Sequence, residues 1–244
     1  MFPLSDDNPR SLTPIINWSI IGACVVVFLW QSSLGAKAGQ IAVYQFGMIP
    51  ARLFGKVTLR SSLAITPAWS TVLTSMFMHG SWLHLGLNML FLWIFGDNVE
   101  DSMGHSRFLL FYLVCGVAAA MTQAVMMPQS TVPMVGASGA ISGVLGAYIL
   151  LHPQANVRVL ILLGFIPIIT NLPALIVLGL WFLTQLASAA FSPMGHGGVA
   201  VWAHVGGFLT GMALVPIFKQ RRARLLQPAR SRPFGLERKR GPWG

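Results

Sequence analysis

Charged side chains are scarce in this chain. Only 9% of its 244 residues are charged, and just six of these are Asp or Glu. Soluble domains carry about 25% charged residues, so the composition excludes an ordinary soluble protein. Hydrophobic residues make up 55% of the sequence and the mean hydropathy is +0.68, which indicates an integral membrane protein.

Cysteine is also scarce. The two cysteines, Cys24 and Cys115, each lie inside an apolar run. Free cysteine in such a setting behaves as a small buried hydrophobic residue. The pattern therefore predicts neither a disulfide bond nor a thiol nucleophile.

The charges that are present are mostly basic and concentrated near the C-terminus. The formal net charge is +10, and nine of the 16 Lys and Arg residues follow Phe218. Basic clusters beside a membrane span mark the cytoplasmic side and contact anionic lipid headgroups. Because this tail contains no folded nucleic-acid-reading motif, we expect membrane lipids as partners and no nucleic acid.

The apolar residues form six candidate spans joined by short connections. A typical span needs about 20 apolar residues. The fourth candidate is short, and the fifth contains Pro167 and Pro173, which suggests that it begins with an irregular or interfacial segment. The candidates cover residues 15–31, 79–96, 107–127, 138–152, 159–189 and 200–218.

Six spans place both termini on one side of the membrane, and the basic tail places that side in the cytoplasm. The sequence thus predicts an all-α membrane protein with a cytoplasmic N-terminal segment (1–14), a six-helix transmembrane domain (15–218) and a basic cytoplasmic tail (219–244). The first loop, about residues 32–78, is apolar between its basic residues but too broken to span. We expect it to be half-embedded at the interface.

Polar side chains appear inside these apolar segments at matching positions. On the predicted topology, spans two, four and six begin at the outer face, and their first turns contain His84, Ser138 and His204. At a rise of 1.5 Å per residue, His84 and His204 lie roughly 6–7 Å below the outer boundary. Span four is only about 22 Å long against roughly 30 Å of hydrocarbon, so if its lower end reaches the cytoplasmic boundary, Ser138 at its start lies roughly 8 Å below the outer boundary. Polar groups at this depth are costly, which makes them candidates for function.

Ser138 begins the fourth span within the sequence GASGA at 136–140. A serine there can attack a carbonyl while the free helical N–H groups receive the developing negative charge. The alternative is a helix-capping serine in a stripe of small residues. Gly139, Gly143 and Gly146 give span four a small-residue face, and Gly207 with Gly211 gives span six another. Such faces favour close helix packing, which would bring His204 within reach of Ser138. The alternative for His204 is a purely interhelical hydrogen bond.

His84 and Asn88 lie four residues apart and share a helix face. Both donate hydrogen bonds from neutral side chains, which suits an oxyanion hole. His79, at the start of the span, is more typical of a structural hydrogen bond. A metal site is the competing interpretation, but no carboxylate faces these histidines, so we expect no metal. No Asp or Glu lies at the height of His204, which predicts a Ser-His dyad rather than a triad.

Taken together, these segments closely resemble the rhomboid family of intramembrane serine proteases. The resemblance covers about residues 69–215 and rests on HGSWLHLGLN (79–88), NVEDSMG (98–104), GASGA (136–140) and AHVGG (203–207). It implies six helices, no cofactor and cleavage of single-pass membrane proteins near the outer boundary. It also implies that Ser138 is the nucleophile, His204 the general base, and His84 and Asn88 the oxyanion donors, with Gly136, Gly139 and Gly207 structural near the site.

The chain departs from the family pattern at two positions. Many members carry a Trp-Arg pair in the first loop, whereas Trp69 is followed here by Ser70. Many also place an aromatic residue four positions after the nucleophile to support the histidine ring. That position is Ser142 here, so we expect His204 to be less firmly oriented or supported by another aromatic.

Two other functions fit the same polar cavity. One is a catalytically silent relative that binds and sorts membrane proteins. It is disfavoured because every catalytic position expected from the resemblance carries the expected residue. The other is a transporter. Transporters usually show paired broken helices or an internal repeat, and this sequence shows no convincing repeat. With its compact loops and no transit peptide, the chain is expected in a bacterial plasma membrane, and its substrate and oligomeric state are left open.

Overall fold

The computed structural model describes residues 1–191 and 200–229. In chain order its helices are α1 (Ile15–Ser33), α2 (Gly35–Phe46), α3 (Pro50–Leu53), a 3-10 turn (Ala68–Ser70), α4 (Thr71–Thr74), α5 (Trp82–Met103), α6 (His105–Met126), α7 (Ser138–Leu151), α8 (Ala174–Phe191) and α9 (Val201–Phe218). Its strands are β1 (Phe2–Asp6), β2 (Asn156–Leu163) and β3 (Ile166–Pro173).

Helices α1, α5, α6, α7 and α9 coincide with five of the predicted spans. Among the described residues, α1, α6 and α9 are long and apolar enough to cross a membrane, whereas α7 and α8 are shorter apolar helices. Length and hydropathy by themselves therefore identify three spans rather than six.

The predicted fifth span, 159–189, is wrong in its first half, and the fold is not all-α. Residues 156–173 form an antiparallel hairpin in which Leu163 pairs with Ile166, and α8 begins only at Ala174. Prolines and β-branched residues disfavour a helix here, and Gly164 supplies the positive φ of +61° in the turn. A continuous apolar run has no periodicity that separates a strand from a buried helix.

Strand β1 completes a three-stranded sheet in the order β1-β2-β3, with Phe2 opposite Leu160. This strand lies within the predicted N-terminal segment. The Asp6 carboxylate accepts hydrogen bonds from Tyr148 Oη of α7 and from Asn98 Nδ2 of α5, the latter at 3.0 Å. The sheet is thereby anchored to the ends of two helices.

Both described ends of the chain lie at this same end of the bundle. Asn8 Nδ2 donates to Asn98 Oδ1 at 2.8 Å, and after α9 the Gln220 N–H donates to the Ser102 carbonyl at 2.9 Å. The Leu226 N–H similarly reaches the Leu150 carbonyl at 2.7 Å. We call this end, with the sheet, residues 1–14 and residues 219–229, the N-terminal face.

Helix α7 runs through the centre of the bundle and is buried from Gly139 to Ile149. Its contact with α9 depends on glycine. A methyl group added to Gly207 would lie 2.0 Å from the Gly139 carbonyl oxygen, and one added to Gly211 would lie 2.0 Å from that of Gly143. The predicted close approach of these two helices is confirmed, because any side chain would separate them.

The first loop is folded on α6 and on the segment before α7. Met48 and Met134 exchange two backbone hydrogen bonds of 3.0 and 2.8 Å. The Thr74 hydroxyl donates to the Phe46 carbonyl at 2.7 Å, which joins α4 to α2. The irregular segment 127–137 is thus held against the first loop, with Gln129, Thr131 and Val132 exposed. Half-embedding of the loop in the membrane stays a prediction.

Candidate active site

Ser138 is the first residue of α7, and the backbone before it is fixed by the first loop. The Gly136 N–H donates to the Ser75 carbonyl at 2.9 Å, and Gly136 has a φ of +127°, a conformation that favours glycine. The N-cap position belongs to Ala137, so Ser138 is not the capping residue. Its hydroxyl is left free for another partner.

That partner is His204. Ser138 Oγ lies 2.9 Å from His204 Nε2, while His204 Nδ1 lies 2.8 Å from Gln185 Oε1. An amide oxygen only accepts hydrogen bonds, so Nδ1 carries the ring proton and Nε2 presents a lone pair to the serine hydroxyl. His204 is 7% exposed, which largely excludes competing water from the ring.

Helix α8 supplies two groups around the histidine ring. Trp181 lies beside it, with ring centroids 5.9 Å apart and planes tilted by 41°. Gln185, one turn later, accepts from Nδ1. Ser142, at the position where family members often carry an aromatic residue, instead donates from its hydroxyl to the Ser138 carbonyl at 2.7 Å. The expected support by another aromatic is therefore provided from α8.

Gln185, like Trp181, contacts His204 although the sequence pattern did not indicate it. It is one of very few polar side chains in a long uncharged stretch, and it lies one helical turn after Trp181. Ser138 and His204 were singled out because a polar side chain is costly in a membrane span. Gln185 is also a polar side chain in an apolar span, so the same criterion could have found it. The misplaced start of the fifth span hid the helix face on which it lies.

His84 and Asn88 lie on one face of α5, opposite Gly136. The Gly80 N–H donates to His84 Nδ1 at 3.3 Å, so in the neutral ring His84 Nε2 carries the hydrogen. A methyl group added to Gly136 would lie 2.8 Å from His84 Nε2 and 3.5 Å from Asn88 Nδ2. Two donors therefore converge on the backbone just before Ser138.

The Asn88 side chain is buried, and its Nδ2 has no hydrogen-bond acceptor among the residues that the structure describes. Buried polar groups are normally paired, so an unpaired donor beside a cavity calls for an explanation. An incoming oxygen atom would satisfy it. This is the property expected of an oxyanion donor.

His79 lies behind His84 and is completely buried. Its ring packs edge-on against that of His84, with centroids 5.2 Å apart. Gln31 Nε2 of α1 donates to its carbonyl at 2.9 Å. These contacts connect α1 to the start of α5 and support the His84 ring.

The polar groups surround one cavity of about 560 Å³, within the range of small-molecule and peptide-binding sites. Its lining includes Ser138, His204, His84, Asn88 and Trp181. In the described part of the chain, no three His, Cys, Asp or Glu side chains come together as a metal site. The arrangement pairs a hydroxyl with a base and places hydrogen-bond donors beside them.

Comparison with known proteins is consistent with this architecture. The Rhomboid domain model matches residues 66–221, more than half of the chain. The chain is 31% identical to Rhomboid-like protein 11, chloroplastic, of Arabidopsis thaliana over 61% of this chain and 52% of the relative. It is 36% identical to Rhomboid protease GluP of Bacillus subtilis over 63% of this chain and 28% of the relative.

A shorter match involves Inactive rhomboid protein 1 of Drosophila melanogaster, which is 35% identical over 33% of this chain and 6% of the relative. The chain spans about half or less of the length of these relatives. The residues matched by the Rhomboid domain model, 66–221, include every segment that lines the cavity described above. This integral membrane protein therefore belongs to the rhomboid family.

Proposed function

We propose that the protein is an intramembrane serine endopeptidase that hydrolyses peptide bonds of membrane-anchored proteins in or near their transmembrane segments. The observation that carries this proposal is the 2.9 Å contact between Ser138 Oγ and His204 Nε2. A nucleophile and a base must lie within about 2.6–3.2 Å for the base to take the proton.

In the first step, Ser138 Oγ attacks the carbonyl carbon of the scissile bond and its proton passes to His204 Nε2. The tetrahedral intermediate collapses when the C–N bond breaks, and His204 returns the proton to the departing amine. A water molecule then attacks the acyl ester with His204 again acting as base. This cycle releases the acid and restores the Ser138 hydroxyl.

The negative oxygen of the tetrahedral intermediate needs donors that are already in place. His84 Nε2–H and Asn88 Nδ2–H converge near Gly136, and the Ser138 N–H is at the start of α7 without a helical partner. Preorganised donors of this kind lower the barrier without any reorganisation cost during the reaction.

Gln185 has a positioning role in this scheme. By accepting from Nδ1–H, it holds His204 in the tautomer that is basic at Nε2. It carries no charge, so it orients the ring without the electrostatic stabilisation that a carboxylate gives to an imidazolium. The catalytic pair remains a dyad, with an amide in the position that an aspartate occupies in a triad.

We further propose six membrane-spanning helices with both termini in the cytoplasm. The N-terminal face, which carries exposed arginines such as Arg221 and Arg222, would then be cytoplasmic. Helix α7 has 14 residues, about 21 Å at the helical rise. Ser138 would therefore lie below the outer boundary of a bacterial plasma membrane, where transmembrane substrates and lipids meet it. No cofactor takes part in the scheme.

A direct assay tests the proposal. Purified protein in lipid vesicles is incubated with a labelled single-pass substrate, in parallel with Ser138→Ala. We expect cleavage by the native protein and none by the variant. Equal cleavage by both proteins would remove Ser138 from the mechanism.

A second candidate is a silent rhomboid protein that binds and sorts membrane proteins. The similarity to Inactive rhomboid protein 1 supports this second candidate. This candidate predicts that the native protein and Ser138→Ala both bind the substrate and neither cleaves it. Labelling of Ser138 by a fluorophosphonate, a reagent that requires an activated serine, separates the two functions without knowledge of the natural substrate.

A further inference from the structure

The outer half of the β2–β3 hairpin projects away from the bundle. Val157 and Val159 at its base are fully buried, whereas Leu163 is 61% exposed and Phe165 at the turn is completely exposed. Ile166, the partner of Leu163, is 66% exposed. We call residues 161–169 the hairpin tip.

Both faces of the hairpin tip are apolar. Successive residues in a strand point to opposite faces, and the neighbours Leu162 and Leu163 are both exposed. In a water-exposed antiparallel hairpin, one face is normally polar. No charged residue occurs between Arg158 and the end of α8. Such a surface is suited to an apolar surrounding on both sides.

The position of the hairpin tip indicates that its apolar surrounding is lipid. It lies at the N-terminal face, where Arg158, Arg221 and Arg224 are exposed. The acidic residues of the same face are bonded within the protein, as in the pair Arg10–Asp97 at 2.7 Å. The outward charge is therefore basic, which complements anionic lipid headgroups. Strand β3 also continues directly into α8, where Leu175, Leu180 and Leu183 extend the exposed apolar surface.

We propose that the hairpin tip inserts into the membrane interface at the N-terminal face and binds lipid there, with Phe165 at the boundary between headgroups and acyl chains. The proposal does not depend on whether Ser138 is catalytic. It assigns a membrane anchor to a segment that lies outside the cavity.

The backbone of the hairpin sets the depth of insertion. Strand β1 ends its pairing at Leu160, so beyond that residue the outer edge of β2 has no strand partner among the described residues. Unpaired backbone groups do not enter the hydrocarbon core. Three residues of strand extend past Leu160, which gives roughly 10 Å at 3.3 Å per residue. This reach matches the interfacial layer and excludes a transmembrane hairpin.

A fluorescence experiment in full-length protein tests this proposal. Both native cysteines are fully buried, so a cysteine at the tip is the reactive one. We would label Phe165→Cys with an environment-sensitive fluorophore in phosphatidylcholine–phosphatidylglycerol vesicles. The matched control is Arg222→Cys, an exposed position on the same face. Leu163→Cys is a second reporter should the first variant fail to fold.

We expect the tip label to have blue-shifted emission, strong quenching by nitroxides placed near the glycerol backbone of the lipid, and weak quenching by aqueous iodide. The control label at position 222 should show the reverse. Iodide quenching equal to that of the control would overturn the proposal, as would stronger quenching by nitroxides at the acyl chain ends. Energy transfer between labels that rises with protein density, without lipid quenching, would instead assign the tip to a second copy of the chain.

Discussion

The α7–α9 pair and helix α8 contribute to the same cavity in opposite ways. Helices α7 and α9 meet through glycines so closely that a methyl group on Gly207 would lie 2.0 Å from a backbone oxygen. Helix α8 is peripheral: Leu175, Leu180 and Leu183 are each at least half exposed. Its side chains nevertheless contact the histidine of α9.

The difference separates two requirements of the proposed serine hydrolase: the distance between nucleophile and base, and the orientation of the base. The distance between Ser138 and His204 is set by the glycine contact, which cannot widen or narrow without moving backbone. The tautomer and tilt of the ring are set by Trp181 and Gln185 from a helix with far less packing. Displacement of α8 would therefore disturb the orientation of the base while leaving the two reacting atoms near each other.

The largest expected effect is loss of the dyad itself. Ser138→Ala and His204→Ala should each lower the rate of substrate cleavage by about 10⁴-fold or more, because nucleophile and base act as one unit. Cleavage kinetics in vesicles measure this, with thermal unfolding as a control for folding. Substantial activity in His204→Ala would assign proton transfer to another group.

The oxyanion donors should matter less than the dyad. Removing one donor in a soluble serine protease costs about 10²–10³ in rate. Asn88→Ala should retain measurable activity, since other donors share the charge, and His84→Ala should fall between Asn88→Ala and the dyad variants because it also loses packing against His79. Full activity in both variants at normal stability would mean that backbone N–H groups hold the oxyanion unaided.

A pair of glycine substitutions tests the contrast in packing. Gly211→Ala should destabilise the protein by about 1–3 kcal/mol, the usual cost of overpacking, because the methyl group meets the Gly143 carbonyl at 2.0 Å. Gly179→Ala on α8 is the matched control, since nothing lies within 4 Å of the added methyl group. Thermal unfolding compares them. Equal melting temperatures would show that α7 and α9 separate more easily than their glycines indicate.

The smallest expected effect belongs to Gln185. Gln185→Leu removes one neutral hydrogen bond, worth about 1 kcal/mol, and should lower kcat by roughly fivefold with KM unchanged. Gln185→Glu keeps the acceptor and adds a negative charge that favours the imidazolium and so raises the pKa of His204. It should preserve turnover near neutral pH and above and move the acidic limb of the kcat–pH profile, where His204 loses its proton, to higher pH.

Those two variants also distinguish positioning from simple stability. A structural role would lower the melting temperature and leave the pH profile of kcat in place. Fluorophosphonate labelling of Ser138 gives a readout that needs no substrate. If the native protein is labelled and Gln185→Leu is labelled at the same rate, the role of Gln185 is refuted while the proposed peptidase function survives.

Local sequence identified much of the site. Ser138, His204, His84 and Asn88 were found because a polar residue in an apolar segment is costly, and the structure brings all four to one cavity. The glycine pattern correctly predicted the close contact between α7 and α9. Helix starts were accurate where a polar or glycine-rich segment preceded them, as at Ser138.

Other features depended on contacts between distant parts of the chain. Residues 159–173 were predicted as part of a span, since an apolar run without periodicity fits a strand or a helix equally well. Strand β2 pairs along its whole length with β3, and its residues 157–160 also pair with residues 2–6, more than 150 positions earlier; this pairing decided in favour of strands.

The sequence by itself indicated a membrane protein through its composition and the rhomboid family through its motifs, and it singled out the polar side chains of the cavity because each interrupts an apolar segment. Only the tertiary structure decided that α8 supplies Trp181 and Gln185 to His204 and that a sheet closes the N-terminal face. The physical reason is that helical rise is a local property, whereas the rotation of one helix against another depends on how their side chains pack.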